Sequence, residues 1–321
     1  SPGSAARTRT RLRADDTHRP ERAEPARKRV LVLAAEPGEE VNAMGGTLNR
    51  LLQNGHDVHV ACLTSGDLSV PDDEVVSFLG LLQAFKEMDH ASFGIQADGV
   101  GLLSGELRKK KPEDSDSDPL RRVKGLLREG EARLSARGLG LEPDKLHFLR
   151  LPFYAKGRYR QFLPREEDYE LLAGLLEEIK PHQVYLNGLK ADPASVAGTG
   201  FQVARTALER VSDATWFADC RCWLYRDDGG EWDIDLIDMA VPLSPDELQL
   251  KLTAIYRQRT QQGGGPVSKS READLWEMIE QLNRQTARLY DELGMAEYEA
   301  MECFRRWRES ESGEHQKKTE T

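Results

Sequence analysis

The sequence predicts an α/β fold, a mostly parallel β-sheet covered by helices on both faces. Three observations carry that expectation. Order sets in at Arg29–Ala35 (RVLVLAA), a short apolar run of the kind a parallel strand shows when both faces are buried. Strand-like runs then alternate with helix-period stretches along most of the 321 residues. The composition, 39% hydrophobic and 31% charged, is that of a globular domain with a wet surface and enough chain for a large core.

The elements follow in order. Residues 1–28 are rich in Arg, Pro and Ala without apolar periodicity, and read as a disordered lead or linker. After the first strand comes a turn at Glu36-Pro37-Gly38, then a helix from about Val41 to Gln53, stopped by Asn54-Gly55. His56–Thr64 is a second strand and Ser65-Gly66-Asp67 the loop beyond it. Asp72–Met88 reads as a helix with Val75, Val76, Leu79, Leu82 and Phe85 on one stripe. Arg108–Asp118 (RKKKPEDSDSD) is dense in charge and is expected as an exposed loop. Leu120–Arg137 is helical, Lys145–Leu149 a strand, Glu166–Ile179 a helix, His182–Leu186 a strand and Ser195–Arg210 a helix.

Beyond this point the alternation changes. Cys220–Tyr225 and Trp232–Met239 read as two strands joined through Asp227-Asp228-Gly229-Gly230, a hairpin signal. Ser244-Pro245-Asp246-Glu247 opens a helix, with Ser as cap, Pro in the first turn and acids beside the dipole. Gly263-Gly264-Gly265-Pro266 breaks the pattern, and Arg271–Leu293 resumes it. The division expected is a lead (1–28), an α/β domain (29–243), a C-terminal helical extension packed on it (244–308) and a polar tail (309–321).

A formal net charge of −10 argues against nucleic-acid and anionic-membrane partners, which need a concentrated basic face. No apolar run approaches the roughly 20 residues of a membrane span, and no secretory signal opens the chain, so a cytoplasmic setting is expected. Four cysteines are too few and too scattered for a disulfide framework. Cys220 and Cys222 are read as facing opposite ways and so as a poor metal pair.

In an open parallel sheet, ligands bind beyond the carboxyl ends of the strands. The loops to watch are therefore 35–40, 64–67 and 187–197. The first holds Glu36, Glu39 and Glu40, which repel one another unless solvated, paired or bridged by a cation. The same acids also suit a helix N-terminus, where they complement the dipole, and spacing alone favours that second reading slightly. Gly45-Gly46 lies inside a helix and forms no GxGxxG pattern, which excludes a dinucleotide turn.

The stretch from Arg29 to Asp67 resembles the opening of the LmbE/PIG-L-like N-deacetylase family, which reads His-Pro-Asp-Asp-(Glu or Asp) after its first strand and then Gly-Gly-Thr. The longer span Ala14–Trp307 resembles the deacetylase-like domain attached to certain bacterial glucosamine-6-phosphate deaminases. KGLLREGEAR (124–133), LPFY (151–154), IKPHQVY (179–185), IDMAVPLSP (237–245) and NRQTARLYDELG (283–294) carry that likeness. The resemblance implies a Rossmann-like sheet and a zinc held by two His and one Asp, with a second Asp as general base for the metal-bound water. Carried over, the first ligand His falls on Glu36, the base on Gly38 and the ligand Asp on Glu39. In ADPASVA (191–197) an auxiliary His becomes Ala194 and the second ligand His becomes Ala197, while a late family His falls on Gln258. None of the seven His holds a ligand position: His56, His59, His147 and His182 fall in strands, His90 in a loop, His18 and His315 in tails.

The expectation is a catalytically inactive homologue of an amino-sugar N-deacetylase with no cofactor, acting as a binding or regulatory domain. The alternative is a surviving amidohydrolase with an acidic Glu36/Glu39/Glu40/Asp192 site for Mg²⁺ or Mn²⁺ and Glu40 as base. Asp192, Ser65, Asp67, Arg128, Glu131 and Tyr154 are the candidate ligand contacts, although Arg128 and Glu131 also have the spacing of a helix-face ion pair. An amino sugar is the expected small-molecule partner. A homo-oligomer and association with a sugar-phosphate deaminase domain both stay open.

Overall fold

The apolar run after Arg29 becomes β1 (Arg29–Ala34) at the middle of a seven-stranded sheet, with Val30 to Ala34 at most 2% exposed. This computed structural model describes residues 26–88, 99–111, 113–155, 162–188, 194–226, 232–262 and 274–307. Strand β1 pairs in parallel with β2 (Asp57–Cys62) on one side and β4 (Gln183–Asn187) on the other, Val30 lying opposite Val58 and Gln183. β3 (Leu146–Phe148) extends the β2 side in parallel, and β5 (Arg221–Tyr225) extends the β4 side. The order β3-β2-β1-β4-β5-β7-β6 therefore reverses between β1 and β4, and the loops leaving those two strands part to form a crevice.

Alternate residues face opposite layers, as the pleat requires. Val30, Val32, Val60 and Tyr185 pack beneath α1 (Glu39–Gln53), α4 (Asp118–Gly138) and α8 (Pro245–Tyr256). Leu31, Leu33, Ala61, Val184 and Leu186 face α5 (Pro152–Ala155), α6 (Glu166–Ile179) and α7 (Val196–Arg210). Each buried Val or Leu contributes roughly 1.5–3 kcal/mol. A third apolar cluster joins α2 (Asp72–Met88) and α3 (Val100–Lys109) to α4 through Val75, Leu79, Val100 and Leu120, while Val76 of the expected stripe is exposed.

Three readings are corrected here. The segment 108–118 is mostly exposed, as expected, but it is not wholly a solvated loop. Arg108 and Lys109 end α3, and the side chains of Lys110 and Asp116 are each 6% exposed. These two join Lys124 and Asp72 in a four-membered charge cluster, Lys124 Nζ lying 2.6 Å from Asp72 and 2.8 Å from Asp116. The hairpin is absent too: β6 (Met239–Leu243) does not touch β5, because β7 (Ala300–Arg306) lies between them and is antiparallel to both. Trp232–Asp238 contains a 3₁₀ turn (Ile234–Leu236) rather than strand, and 227–231 lie outside the described residues. Finally, the C-terminal stretch expected to be helical carries β7 after α9 (Leu275–Glu292), so it supplies part of the sheet itself.

β7 also repairs a break in α1. Met44 (φ −141°, ψ 28°) leaves helical geometry and interrupts the hydrogen-bond ladder. The freed N–H groups of Gly46 and Thr47 donate to the Glu302 carboxylate at 2.9 and 2.6 Å, and the Thr47 hydroxyl donates at 2.5 Å. Lys251 Nζ, wholly buried, lies 2.8 Å from the same carboxylate and donates to Asn283 Oδ1 at 2.8 Å. A Cβ at Gly46 would sit 2.5 Å from Leu243 Cδ2, so any larger residue there forces this buried leucine to shift. Glu302→Ala strands a buried ammonium and should cost about 3–5 kcal/mol in a urea melt. A loss below about 1 kcal/mol would show that the pair is not load-carrying in the folded state.

Candidate ligand site

At the carboxyl end of β1 the chain turns through Pro37 and Gly38, whose φ of +95° is left-handed and suits glycine. The turn throws Glu39 back over the strand end. Its Oε2 accepts from Ala35 N at 2.7 Å and Glu36 N at 3.3 Å, and its Oε1 accepts from Asn187 Nδ2 at 2.7 Å. The Tyr225 hydroxyl lies 2.9 Å from that Oε1 and 2.7 Å from the Leu33 carbonyl, with one proton for the two. Glu39, 6% exposed, thus ties together the ends of β1, β4 and β5, and its lone pairs are committed.

Glu40 is wholly buried. Its Oε2 accepts from Gly38 N at 3.0 Å, and Oε1 has no hydrogen-bond partner. Burial pushes its pKa up to about 7, against the opposing pull of its own and Gly38's N–H groups and of Arg128. Burial likewise raises the Glu36 carboxyl, partly offset by Arg128 and by a hydrogen bond with Ser69.

Gln258 and Arg128 fill the space between these acids. Gln258, 1% exposed, donates to Gly38 O and Asn42 Oδ1 at 3.2 Å each, and its Oε1 lies 2.2 Å from where a Gly38 Cβ would be. The Gln258 side chain fits here only because residue 38 carries no Cβ. Arg128, reaching in from α4, donates to Pro37 O and lies 3.5 Å from Glu131 and Thr260 Oγ1. Glu131 accepts from Thr260 N and Oγ1 at 2.8 and 2.6 Å, which fixes the short turn carrying Gln258.

On the opposite wall, Ala197 borders an apolar space of only about 10 Å³ with Ala35 and Leu63, barely one water molecule. Ala194 lies in the turn before Ser195, which caps α7 by accepting from Gly198 N at 3.0 Å. Asp192 lies outside the described residues, as do His18, His90 and His315. His56 and His182 accept backbone N–H bonds from Lys28 and Arg29 at the far end of the sheet, and His59 stacks on His147 there.

These residues do not fit a zinc ion. Glu39 has no free oxygen, Gly38 and Ala197 offer no donor, and among the described residues no three His, Cys, Asp or Glu side chains are grouped to hold a metal. Of the acidic set Glu36, Glu39, Glu40 and Asp192, Glu39 is held by Ala35 N, Glu36 N and Asn187 Nδ2, and Asp192 lies outside the described residues.

A cavity of about 360 Å³ opens beside the turn, beyond β2. Of the expected contacts, Ser65 and Asp67 line it, joined at 2.5 Å, and Arg121 pairs with Asp67 at 2.7 Å. Arg128 lies just behind, its Nε 3.3 Å from the Cβ position of Gly66. Tyr154 accepts from Leu68 N at 3.1 Å and so holds the 67–69 turn, while Glu131 faces Thr260 instead. Sequence reasoning missed Arg121, Arg122, Glu129 and Arg150 in this lining. The signal was present: Asp118, Arg121, Arg122, Gly125 and Glu129 share one face at helical spacing.

No family model matches the chain. It is 42% identical over 294 residues to a putative glucosamine-6-phosphate deaminase-like protein of Bacteroides thetaiotaomicron, a match covering 91% of this chain and 44% of that relative. The chain thus spans less than half the length of the curated relative. Among solved structures, an N,N'-diacetylchitobiose deacetylase from Pyrococcus horikoshii superposes at TM-score 0.56 with 18% identity, covering 94% of this chain and 92% of that one. The chain has the LmbE/PIG-L-like deacetylase fold. The 4-carboxy-2-hydroxymuconate hydratase GalB of Pseudomonas putida is also similar, at TM-score 0.54 and 16% identity over 87% of this chain and 95% of that one. A deacetylase fold therefore does not by itself name a reaction.

Two outcomes follow from the turn. Gly38→Ala should cost about 1–3 kcal/mol through its left-handed φ and the clash with Gln258, and adding Gln258→Ala should recover only the clash, as a double-mutant cycle in urea would read. Because Glu40 titrates at about 7 folded against 4.5 unfolded, its contribution is full below pH 4.5 and falls away as pH rises to 7. Glu40→Gln should remove that slope and gain on the order of 3 kcal/mol over the parent above pH 7. Parallel stability–pH curves for the two proteins would refute this.

Proposed function

We propose that this deacetylase-fold chain is a binding domain for an amino sugar that does not hydrolyse it, serving a regulatory role in amino-sugar metabolism in the cytoplasm. One observation carries the reading: the chain's own groups fill the place where hydrolysis would need a base and a metal. Gln258 occupies the space a side chain at 38 would take, and Glu39 is saturated by donors from three strand ends. The cavity beside it is lined by the pairs Asp67–Arg121 and Glu129–Arg150 and by Asp118 and Arg122. Such mixed charge suits a polyhydroxylated ligand bearing an ammonium and a phosphate. The Bacteroides relative and the Pyrococcus chitobiose deacetylase support the amino-sugar class. A sugar-phosphate deaminase domain or a second copy of the chain is the partner such a role would serve.

A hydrolase reading keeps one observation in its favour, the near-neutral pKa of Glu40, which is what a general base needs. Full burial of that carboxyl away from the cavity counts against it.

Isothermal titration with glucosamine, N-acetylglucosamine and their 6-phosphates, run beside an acetate-release assay with Zn²⁺, Mg²⁺ or Mn²⁺, separates the readings. A phosphorylated amino sugar should bind, Asp67→Asn and Arg122→Ala should each weaken it about tenfold, and no acetate should appear. Silence with all four sugars removes the binding role. Acetate release that disappears in Glu40→Gln establishes the hydrolase.

A further inference from the structure

At the other end of the sheet, Cys220 and Cys222 flank Arg221 at the entry to β5. Cys220 is extended (φ −73°, ψ 140°), and residues two apart on an extended chain share a face. The sequence reading that set them on opposite faces is therefore corrected. Both are partly exposed, both pack against the apolar layer under α6 and α7, and both line a cavity of about 610 Å³ with Arg221, Arg306 and Trp307. Their side chains are in hydrogen-bond contact. That contact, with the Arg221 charge and N–H, holds the Cys220 thiol below the ordinary thiol range despite burial.

We propose that Cys220 and Cys222 form a two-sulfur binding site for a soft monovalent cation, Cu(I). The ligand set selects the ion. Two thiolates suffice for linear Cu(I), whereas a zinc shell needs four donors and the lining supplies only Glu209 beside the two sulfurs. A disulfide fits poorly: two residues of extended chain span about 6.6 Å between Cα atoms, near the upper limit of about 6.8 Å for a bridge. Binding moves no electrons. Each thiol gives its proton to solvent as its sulfur–copper bond forms, leaving a bis-thiolate complex of charge −1. The guanidinium groups of Arg221 and Arg306 in the lining offset that charge, and Glu209, also in the lining, is paired with Arg205 at 3.5 Å. Residue Cys222 lies three positions, about 10 Å, along β5 from Tyr225, which puts this site apart from the one around Glu39.

The test is anaerobic Cu(I) titration of the full chain against a chromophoric Cu(I) chelator, following sulfur-to-copper charge-transfer absorption and proton release. One ion per chain and two protons per ion are expected. Cys220→Ser and Cys222→Ser should each weaken binding by more than about tenfold. Cys303→Ala, altering a buried thiol in β7, should leave binding unchanged, and circular dichroism should show all three variants folded. Amino-sugar titrations of the serine variants should match the parent, which keeps this site's failure distinct from that of the other. Loss of all copper to the chelator, or equal affinity in the serine variants, overturns the proposal.

Discussion

One buried carboxylate organises much of this molecule. Glu302 reaches from the last described strand to the break in α1, where helical geometry lapses at Met44 and two N–H groups would otherwise be buried without partners. A buried acid needs its own counter-charge, and Lys251 supplies it from α8 while Asn283 satisfies the lysine from α9. Three C-terminal elements thus converge on the helix whose first turn carries Glu39 and Glu40. The geometry of the crevice is set from behind, by residues distant in sequence. Gly45, Gly46 and Thr47 are small or hydroxylated because the Lys251 side chain, Leu243 and the Glu302 carboxylate lie against them in turn.

At the crevice itself, internal groups do the work a bound cation would do elsewhere. Arg128, anchored on the Pro37 carbonyl, offsets the charge of Glu36 and Glu40, while Asp67 pairs with Arg121. Glu39 is neutralised differently, by donors from β4, β5 and its own turn. These arrangements hold the turn largely through groups of the chain itself. They also move the open, solvent-reached space outward, to the cavity between α4 and the 65–69 segment.

Much of the architecture was legible because burial on both faces leaves a plain mark on sequence: β1, β2 and β4 are apolar runs, and the helices between them keep a 3.6-residue stripe. What failed were elements whose reason lies elsewhere in the chain. β7 has charged residues at Glu302, Arg305 and Arg306 because one of them is a buried cap, so alternation was obscured. Within the mostly exposed run at 108–118, residue types alone do not show that Lys110 and Asp116 turn inward to face Lys124 and Asp72. At the candidate site, residue identities announced the missing donors at 38 and 197. They did not announce that Gln258 stands in the vacated space, since that depends on a contact across 220 positions.

The wedge position of β7 has a bearing on how the chain reaches its native state. Strand β5 is synthesised well before its neighbour, and β6 follows with no sheet to join until residues 300–306 arrive. During that interval the growing polypeptide carries an open hydrogen-bonding edge, of the kind that invites pairing with other chains. Closure is therefore a late event of high sequence separation, and the last strand acts as a keystone whose arrival seals two edges at once.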